Sequence, residues 1–211
     1  MLATMSHDLR TPVHAIIGAS DILMTSHAIS ARNRAMISYV RGAGNDLLEK
    51  IDRILLYSKM EVGRLELEEH AYSMEHLITE LMQMLLYNLH GHDVGCRARF
   101  ATPIPQTVIG DEEHVREILQ NVISNAVKFT KSGQIDLTLS CQDLEDDRVR
   151  FCCLIEDTGA GMTEEQMAHM FESYRTYTVD GQEGTGLGMT IVKELCKLIQ
   201  GDCKVESQQG K

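Results

Sequence analysis

The chain has 211 residues, which is enough for one or two domains. It carries 31 acidic and 20 basic side chains, and the net charge of −11 argues against a nucleic-acid-binding protein, since such proteins normally present a basic face. Hydrophobic residues make up 43% and charged residues 24%, a composition that excludes a disordered chain.

No stretch of the sequence predicts a membrane-spanning helix or a secretion signal. The longest stretch without Asp, Glu, Lys or Arg is the 12 residues 81–92, whereas a spanning helix needs about 18. The N-terminus also lacks the basic-then-apolar layout of a signal peptide. The six cysteines include no Cys-x-x-Cys pair, which favours reduced thiols over a disulfide framework. We therefore expect a cytoplasmic location, with no membrane contact from this segment.

The first part of the chain predicts two helices, over residues 2–25 and 31–60, joined by a short loop at 26–30. Apolar residues recur at helical steps in the first helix, with Pro12 inside the pattern. The second helix carries a heptad-like seam of Val40, Gly44, Leu47, Ile51, Ile54 and Ser58. The pattern predicts an antiparallel hairpin that buries its apolar stripe by dimerising into a four-helix bundle.

The second part predicts a mixed α/β unit. We expect helices over residues 74–89 and 111–129 and near 190–200, and a loop marked by Pro103 and Pro105. Alternating patterns predict a β-hairpin of residues 135–141 and 149–155, and short strands at 64–68 and 203–206. The predicted fold class is α+β.

His7 on the first helix is the first candidate for chemistry. It lies off the apolar stripe, and an exposed helical histidine is usually inert. Asp8 beside it changes this assessment, because a carboxylate that accepts the Nδ1 proton makes Nε2 of the imidazole a better nucleophile.

Two asparagines form the second candidate. Asn121 and Asn125 lie one turn apart on an otherwise apolar helix and so point the same way. They either hydrogen-bond a neighbouring loop or offer amide oxygens to Mg²⁺. In the second case Lys128 would meet a phosphate as a point charge.

Two glycine-rich stretches complete the set. Residues 157–162 (DTGAGM) follow a strand, which places Asp157 at a strand end, and residues 184–189 (GTGLGM) open a helix whose N–H groups suit anionic oxygens. Neither matches the Rossmann or P-loop pattern, and each alone is best interpreted as a plain loop. Their occurrence in order after the paired asparagines makes coincidence a poor explanation.

These motifs together resemble those of sensor histidine kinases, over almost the whole chain. Residues 6–12 (SHDLRTP) resemble the H box, 121–130 the N box, 157–162 the G1 box, 170–172 the F box and 184–189 the G2 box. Residues 109–119 are especially similar to hybrid histidine kinases, which often carry a receiver domain further along the chain.

The resemblance implies two domains: residues 1–63 for dimerisation and histidine phosphorylation, and residues 64–211 as an ATP-binding sandwich of the type shared by gyrase and chaperone ATPases. It implies an ATP-dependent protein-histidine kinase that passes the phosphoryl group to a receiver aspartate, and that can belong to a longer membrane-anchored sensor. Its cofactors would be ATP and Mg²⁺, and its partners a second copy of the chain and a receiver domain.

The resemblance also assigns roles to single residues. His7 would be the phosphoacceptor, Asp8 its general base, and Thr11 part of a pattern tied to the reverse phosphatase reaction. Asn125 would bind Mg²⁺, with Asn121 beside it and Lys128 near the phosphates, and Asp157 would accept a hydrogen bond from the adenine amino group. The remaining nucleotide-binding positions would be Gly159, Gly161, Gly184, Thr185, Gly186, Leu187 and Gly188.

The sequence departs from the family pattern at several places. Ser173 and Tyr174 replace the usual Pro-Phe after the F box, and the lid between Phe171 and Gly184 is short. The family usually continues past a Gly-x-Gly with a final strand, so we expect a C-terminally truncated domain with one sheet edge unpaired. Two alternatives to an active kinase follow: a weak or inactive ATP-binding and dimerisation module, and a clamp-type ATPase, which is disfavoured because such ATPases carry a carboxylate where Asn121 stands.

Overall fold

The computed structural model describes residues 2–26, 29–175 and 185–210, with the side chains of residues 2–8 outside that description. The chain divides into two compact units, Met1–Leu65 and Glu66–Lys211. None of the helices within the described residues is long and apolar enough to cross a membrane.

The first unit is a hairpin of helices α1 (Leu2–Thr25) and α2 (Ala31–Glu61). Helix α1 runs unbroken through Pro12, and the Ser30 side chain caps α2 by accepting from the Asn33 N–H. Two ion pairs between the helices show their relative direction. Arg10 Nε donates to Asp52 Oδ1 at 2.7 Å, and Arg41 Nη1 donates to Asp21 Oδ1 at 3.4 Å. Because the residue numbers rise on one helix as they fall on the other, the helices are antiparallel.

Within its described residues, 66–175 and 185–210, the second unit contains four helices and five strands. The helices are α3 (Met74–Asn88), α4 (Glu112–Phe129), α5 (Glu164–His169) and α6 (Gly188–Leu198). The strands are β1 (His70–Ser73), β2 (Asp93–Phe100), β3 (Thr107–Gly110), β4 (Ser132–Asp143) and β5 (Val149–Asp157). Strand β1 pairs antiparallel with β3, while β4 lies between β2, to which it is parallel, and β5, to which it is antiparallel.

The core of this unit lies between helices and one face of the larger sheet. Helix α3 contributes Leu77 and Leu85, and α4 contributes Ile123, all buried with the inward residues of β4. Those residues are Ile135, Leu137 and Leu139, which alternate with exposed or half-buried polar residues as a one-faced strand requires. The apolar face of α6, with Ile191 and Leu195, is also fully buried.

The predicted α+β class is confirmed: a helical N-terminal region precedes an α/β unit. The predicted helices are present within two residues at almost every end, as is the predicted β-hairpin.

Two predicted short strands are wrong. Residues 64–69 have no regular structure. The first strand is β1 (His70–Ser73), because those residues can pair with β3 and bury Tyr72. Residues 203–206 also form no strand. Cys203, Val205 and Ser207 alternate in burial with exposed residues, but no described strand supplies the neighbouring backbone groups that a ladder needs.

Candidate functional site

Helix α4 begins at a carboxylate that is almost completely buried. Asp111 Oδ1 accepts from the His114 N–H at 2.9 Å, while Oδ2 accepts from the Glu68 N–H at 2.8 Å and lies 2.5 Å from His114 Nδ1. Burial alone would raise the pKa of Asp111, but the hydrogen bonds from His114 and Glu68 outweigh it and hold the pKa below its ordinary value. This cap fixes the start of α4 and attaches it to the chain segment that enters the unit.

Asn121 lies where α4 meets the first residue of α6. Its Nδ2 donates to the backbone oxygen and to Oε1 of Glu117, both at 2.8 Å. Its Oδ1 faces α6: a Cβ on Gly188 would lie only 3.0 Å from it. The glycine therefore lets α6 begin directly against a buried amide oxygen.

Asn125 and Lys128 continue the same face of α4, which we call the α4 polar face (Asn121, Asn125 and Lys128). Asn125 is half-buried, and its carboxamide makes no hydrogen bond with any other described residue. The Lys128 ammonium lies 5.2 Å from the centre of the Phe129 ring. A half-buried amide that has no partner among the described residues and an ammonium one turn further along leave this surface able to bind an anionic ligand with its cation.

Asp157 meets the other end of α4. Its Oδ1 accepts from Thr130 Oγ1 at 3.3 Å and from the Gly159 N–H at 2.9 Å. Thr130, the residue that follows the last turn of α4, is itself buried. One carboxylate oxygen is thus held in place, while Oδ2 accepts no hydrogen bond from the other described residues.

The loop after Asp157 is held by the last described residues of the chain. Met162 N–H donates to Ser207 Oγ at 2.9 Å, and Gly210 N–H donates to the Ala160 oxygen at 3.0 Å. Gly161 has φ +64°, and a Cβ there would overlap the backbone oxygen of Gln208. The glycine is therefore required by packing inside the protein. We call residues 203–210 the C-terminal tail.

The second glycine-rich stretch opens α6. Leu187 at its N-cap makes no side-chain cap hydrogen bond, so the first N–H groups of this helix are not satisfied by a capping side chain. Tyr174 N–H donates to the Gly186 oxygen at 2.9 Å, and Thr190 Oγ1 donates to the Phe171 oxygen at 3.1 Å. Both bonds hold residues 171–174 beside the start of α6. Thr185 is half-buried there, and Gly184 lies outside the described residues.

The phosphoacceptor candidates lie on the other unit. His7 and Asp8 belong to helix α1, but their side chains lie outside the described part of the structure. Thr11 follows His7 by one helical turn and is exposed. Arg10 between them forms the ion pair with Asp52 that joins the two helices.

The structure places three of the predicted nucleotide-site residues, Asn121, Asn125 and Lys128, on one helix, and brings Asp157 and the start of α6 against it. From Asn121 to Thr130 the distance along α4 is about 13 Å, at 1.5 Å per residue. The start of α6 lies beside Asn121, and Asp157 lies beside Thr130. Sequence reasoning missed Glu117, Thr130, Ser207 and Gly210. Glu117 precedes Asn121 by one turn, a spacing visible in the sequence, whereas the tail contacts follow from tertiary structure alone.

Two family models match parts of the chain. Residues 1–63 match the His Kinase A (phospho-acceptor) domain, and residues 110–211 match the family described as Histidine kinase-, DNA gyrase B-, and HSP90-like ATPase.

Individual proteins extend the similarity to nearly the whole chain. The chain is 30% identical over 212 residues to Hybrid signal transduction histidine kinase B of Dictyostelium discoideum, covering 99% of this chain and 11% of that protein. It is 30% identical over 213 residues to Signal transduction histidine-protein kinase BarA of Escherichia coli K12, covering 100% of this chain and 23% of that protein. The crystal structure of full-length ShkA in complex with AMPPNP matches 99% of this chain and 43% of that chain, with 28% identity and a TM-score of 0.76.

A helical hairpin followed by an α/β unit with this asparagine-bearing helix defines a phospho-acceptor domain joined to an ATPase-type domain. The chain belongs to the histidine protein kinases, and its relatives include hybrid members of that family. It spans much less than two thirds of the length of these relatives.

The buried cap of α4 makes a testable contribution to stability. We expect Asp111→Ala to lower the free energy of unfolding at pH 7 by about 1–3 kcal/mol, because it removes the N-cap and the carboxylate that accepts from the Glu68 N–H. The folded pKa is below the unfolded value of about 3.9, so the difference from the original chain should persist above that pH and shrink as the pH falls through the folded pKa. Denaturant unfolding from pH 7 to pH 3 measures it.

Glu113→Ala is the matched control, since Glu113 is an exposed carboxylate in the same turn. It should change the unfolding free energy by no more than about 0.5 kcal/mol. A difference for Asp111→Ala that stays constant from pH 7 to pH 3 would contradict the role assigned to the ionised carboxylate.

Proposed function

We propose that this chain is an ATP-dependent protein-histidine autokinase, which transfers the γ-phosphoryl group of ATP to His7 and then to an aspartate of a receiver domain. The observation that carries the proposal is the arrangement along helix α4. The α4 polar face lies between Asp157, which contacts Thr130, and the start of α6, which lies against Asn121 and has no side-chain cap. The same chain supplies a helical hairpin of the phospho-acceptor family.

Asp157 is proposed to receive the adenine base. Thr130 and Gly159 hold Oδ1, and this leaves Oδ2 free to accept the hydrogen bond of the adenine amino group. Gly159 and Gly161 shape the loop beside it. The contacts of Gly161 with the C-terminal tail support a role in loop packing, rather than only in close approach of the backbone to the base.

The triphosphate is proposed to lie between the α4 polar face and the start of α6. Backbone N–H groups from Thr185, Gly186, Leu187 and Gly188, with Gly184 before them, would bind its oxygens as helix N-termini bind anions. Lys128 would add a positive charge from α4. These local donors are needed because the chain as a whole is acidic, with a net charge of −11.

Mg²⁺ is proposed to bind at Asn125. The residue fits because its amide oxygen is a hard ligand, is half-buried, and has no partner among the described residues. Asn121 lies beside it, with its amide nitrogen held by Glu117 so that its oxygen faces α6. The ion would neutralise phosphate charge, while these side chains fix its position.

The transfer itself needs little covalent machinery. Nε2 of His7 forms a bond to the γ-phosphorus as the bond to the bridging oxygen of ADP breaks, and Asp8 accepts the Nδ1 proton. Catalysis then consists mainly of positioning and charge stabilisation. His7 and the α4 polar face belong to different compact units, so the proposed mechanism includes a movement of one unit relative to the other.

Thr11, one turn after His7, is proposed to act in the reverse, phosphatase direction.

The proposal predicts a phosphorylated histidine. With Mg²⁺ and γ-labelled ATP, the chain should acquire a label that is stable in base and labile in acid, and the label should be absent in His7→Gln and reduced in Asn125→Ala. Adding a receiver domain should move the label to that domain. Autoradiography after acid and base treatment measures both steps.

His14→Gln is the matched control, because His14 is an exposed histidine two turns further along the same helix. It should retain the label. A label that survives in His7→Gln would contradict the proposed phosphoacceptor. Nucleotide binding without any label would favour an inactive binding module, and steady phosphate release without a phosphoprotein would favour a clamp-type ATPase.

The adenine contact predicts a change in affinity. Asp157→Asn removes a charge-assisted hydrogen bond and should weaken ATP binding by on the order of 1.5–3 kcal/mol, or roughly 10- to 100-fold. Titration calorimetry with a non-hydrolysable ATP analogue measures this. Glu156→Gln, which changes the exposed neighbouring carboxylate, should leave the affinity unchanged. Equal affinities for Asp157→Asn and the original chain would show that the adenine site lies elsewhere.

The hairpin is proposed to dimerise through an apolar stripe of six side chains. They occur at seven-residue intervals on both helices and are each 46–49% exposed: Leu9, Ile16 and Leu23 on α1, and Val40, Leu47 and Ile54 on α2. In an antiparallel hairpin these form three layers, each with one residue per helix. Burying the exposed half of each contributes about 1 kcal/mol, so a second copy covers the stripe favourably as a four-helix bundle.

The dimer proposal is tested by placing a charge in the middle layer. We expect Leu47→Lys to halve the molar mass measured by light scattering at micromolar concentration, because a buried ammonium without a partner is strongly unfavourable. Asp46→Lys places the same charge on the adjacent exposed position, away from the stripe, and should leave the mass unchanged. A Leu47→Lys chain with the original mass would exclude this interface.

The proposed use of ATP, together with six free thiols, favours a cytoplasmic location. Recovery of the chain outside the cytoplasm in cell fractionation would contradict it.

A further inference from the structure

Asn121 carries a buried amide oxygen that accepts no hydrogen bond from the described residues. The residue is only 2% exposed, yet both hydrogen bonds of its carboxamide are donated by its nitrogen. Its Oδ1 lies against the start of helix α6, 3.0 Å from the position that a Cβ on Gly188 would take. A buried polar atom without a partner costs free energy, so its presence in a folded protein calls for a reason.

Glu117 fixes which end of this carboxamide faces α6. Nδ2 of Asn121 donates to Oε1 and to the backbone oxygen of Glu117, both at 2.8 Å. An amide nitrogen has two N–H groups, so these two bonds use both of them. Turning the amide around would place its oxygen against two acceptors, since an ionised carboxylate has no proton to donate. Glu117 therefore keeps an acceptor, and not a donor, directed at the start of α6.

This orientation affects a free triphosphate and a metal-bound triphosphate differently. The first N–H groups of α6 have no side-chain cap and attract anionic oxygens. Ionised phosphate oxygens only accept hydrogen bonds, so they gain nothing from the amide oxygen of Asn121 beside them. A divalent cation, by contrast, binds amide oxygens directly or through water molecules that donate to them. The acceptor therefore favours a triphosphate that carries its cation over one that does not.

We propose that Glu117 is a positioning residue that makes the nucleotide site select metal-bound ATP over free ATP. It acts through Asn121, by holding the amide oxygen towards the start of α6. The role assigned to Glu117 rests on the proposed function. Without the carboxylate, only the backbone oxygen opposes a turn of the amide. The turned amide presents N–H groups, which suit bare phosphate oxygens and repel a cation, so the selectivity falls.

Titration calorimetry on the whole chain tests this selectivity. The dissociation constant of a non-hydrolysable ATP analogue is measured in excess Mg²⁺ and in a chelator, and the chelator value is divided by the Mg²⁺ value. Glu117→Met keeps the length of the side chain but removes its acceptor. The ratio should fall roughly tenfold, because a hydrogen bond to a charged group is lost. Glu117→Gln keeps an oxygen in the same place, and its ratio should stay within about threefold of the original.

A double variant separates this role from a general effect on folding. If Glu117 acts through Asn121, then Glu117→Met should cause no further change of the ratio in a chain that already carries Asn121→Ala. Glu113→Met makes the same change one turn earlier, at an exposed position, and should leave the ratio unchanged. An unchanged ratio in Glu117→Met would overturn the proposal, and so would effects that add in the double variant.

The orientation of the amide is also measurable without nucleotide. In an isotope-labelled chain, the side-chain N–H protons of Asn121 should exchange slowly with solvent, because both are hydrogen-bonded in a buried place. Glu117→Met should speed this exchange, and equal exchange in the two chains would overturn the assigned pairing. A chain that shows the slow exchange but binds no analogue would overturn the proposed function, and the selection of metal-bound ATP with it, while confirming the pairing.

Discussion

Helix α4 must serve the core and the candidate site at once, and the rest of the second unit depends on how it does so. One face carries Leu119 and Ile123 into the core formed with α3 and β4. The opposite face carries Asn121 and Asn125. Since 3.6 residues make one turn, a single rigid helix keeps both sets at fixed angles. Any rotation that exposed the asparagines differently would also unpack the core.

Polar groups that are buried for structural reasons fix the position of this helix. Asp111 satisfies two backbone N–H groups at its start, and Thr130 meets Asp157 just past its end. The side chains of Asp111 and Thr130 are almost inaccessible to solvent, so their hydrogen bonds are costly to break. Asn121 is buried too, with its nitrogen held by Glu117. The site is therefore preorganised by groups that also stabilise the fold.

The elements that the sequence predicted well are long and periodic. Helices α1, α2, α3 and α4 and the β4–β5 hairpin each bury one face, and that leaves a clear period in the apolar residues. The elements it missed are short or polar. Strand β2 lies at the edge of the three-stranded sheet, beside β4, and has few apolar residues. Strands β1 and β3 have four residues each. Helix α5 has six, although its capping box of Thr163 and Gln166 could have been found in the sequence.

Within the candidate site the motifs predicted residue types and order, and the structure supplied the partners. Asn121 was singled out from its spacing, but its attachment to Glu117 and its contact with Gly188 depend on how α4 and α6 pack. Likewise, Gly161 stood out in the sequence as part of a glycine-rich loop, while the reason for the glycine is the backbone of Gln208, 47 positions further along the chain.

By itself, then, the sequence determined the α+β class, the long helices, the family and the set of candidate residues, because periodicity and motif spacing are local properties of the chain. Tertiary structure alone decided that the tail supports the loop after Asp157. It also decided that residues 203–206 form no strand. These are contacts between distant segments or the absence of a pairing neighbour, and no local pattern encodes which backbone groups will lie opposite one another.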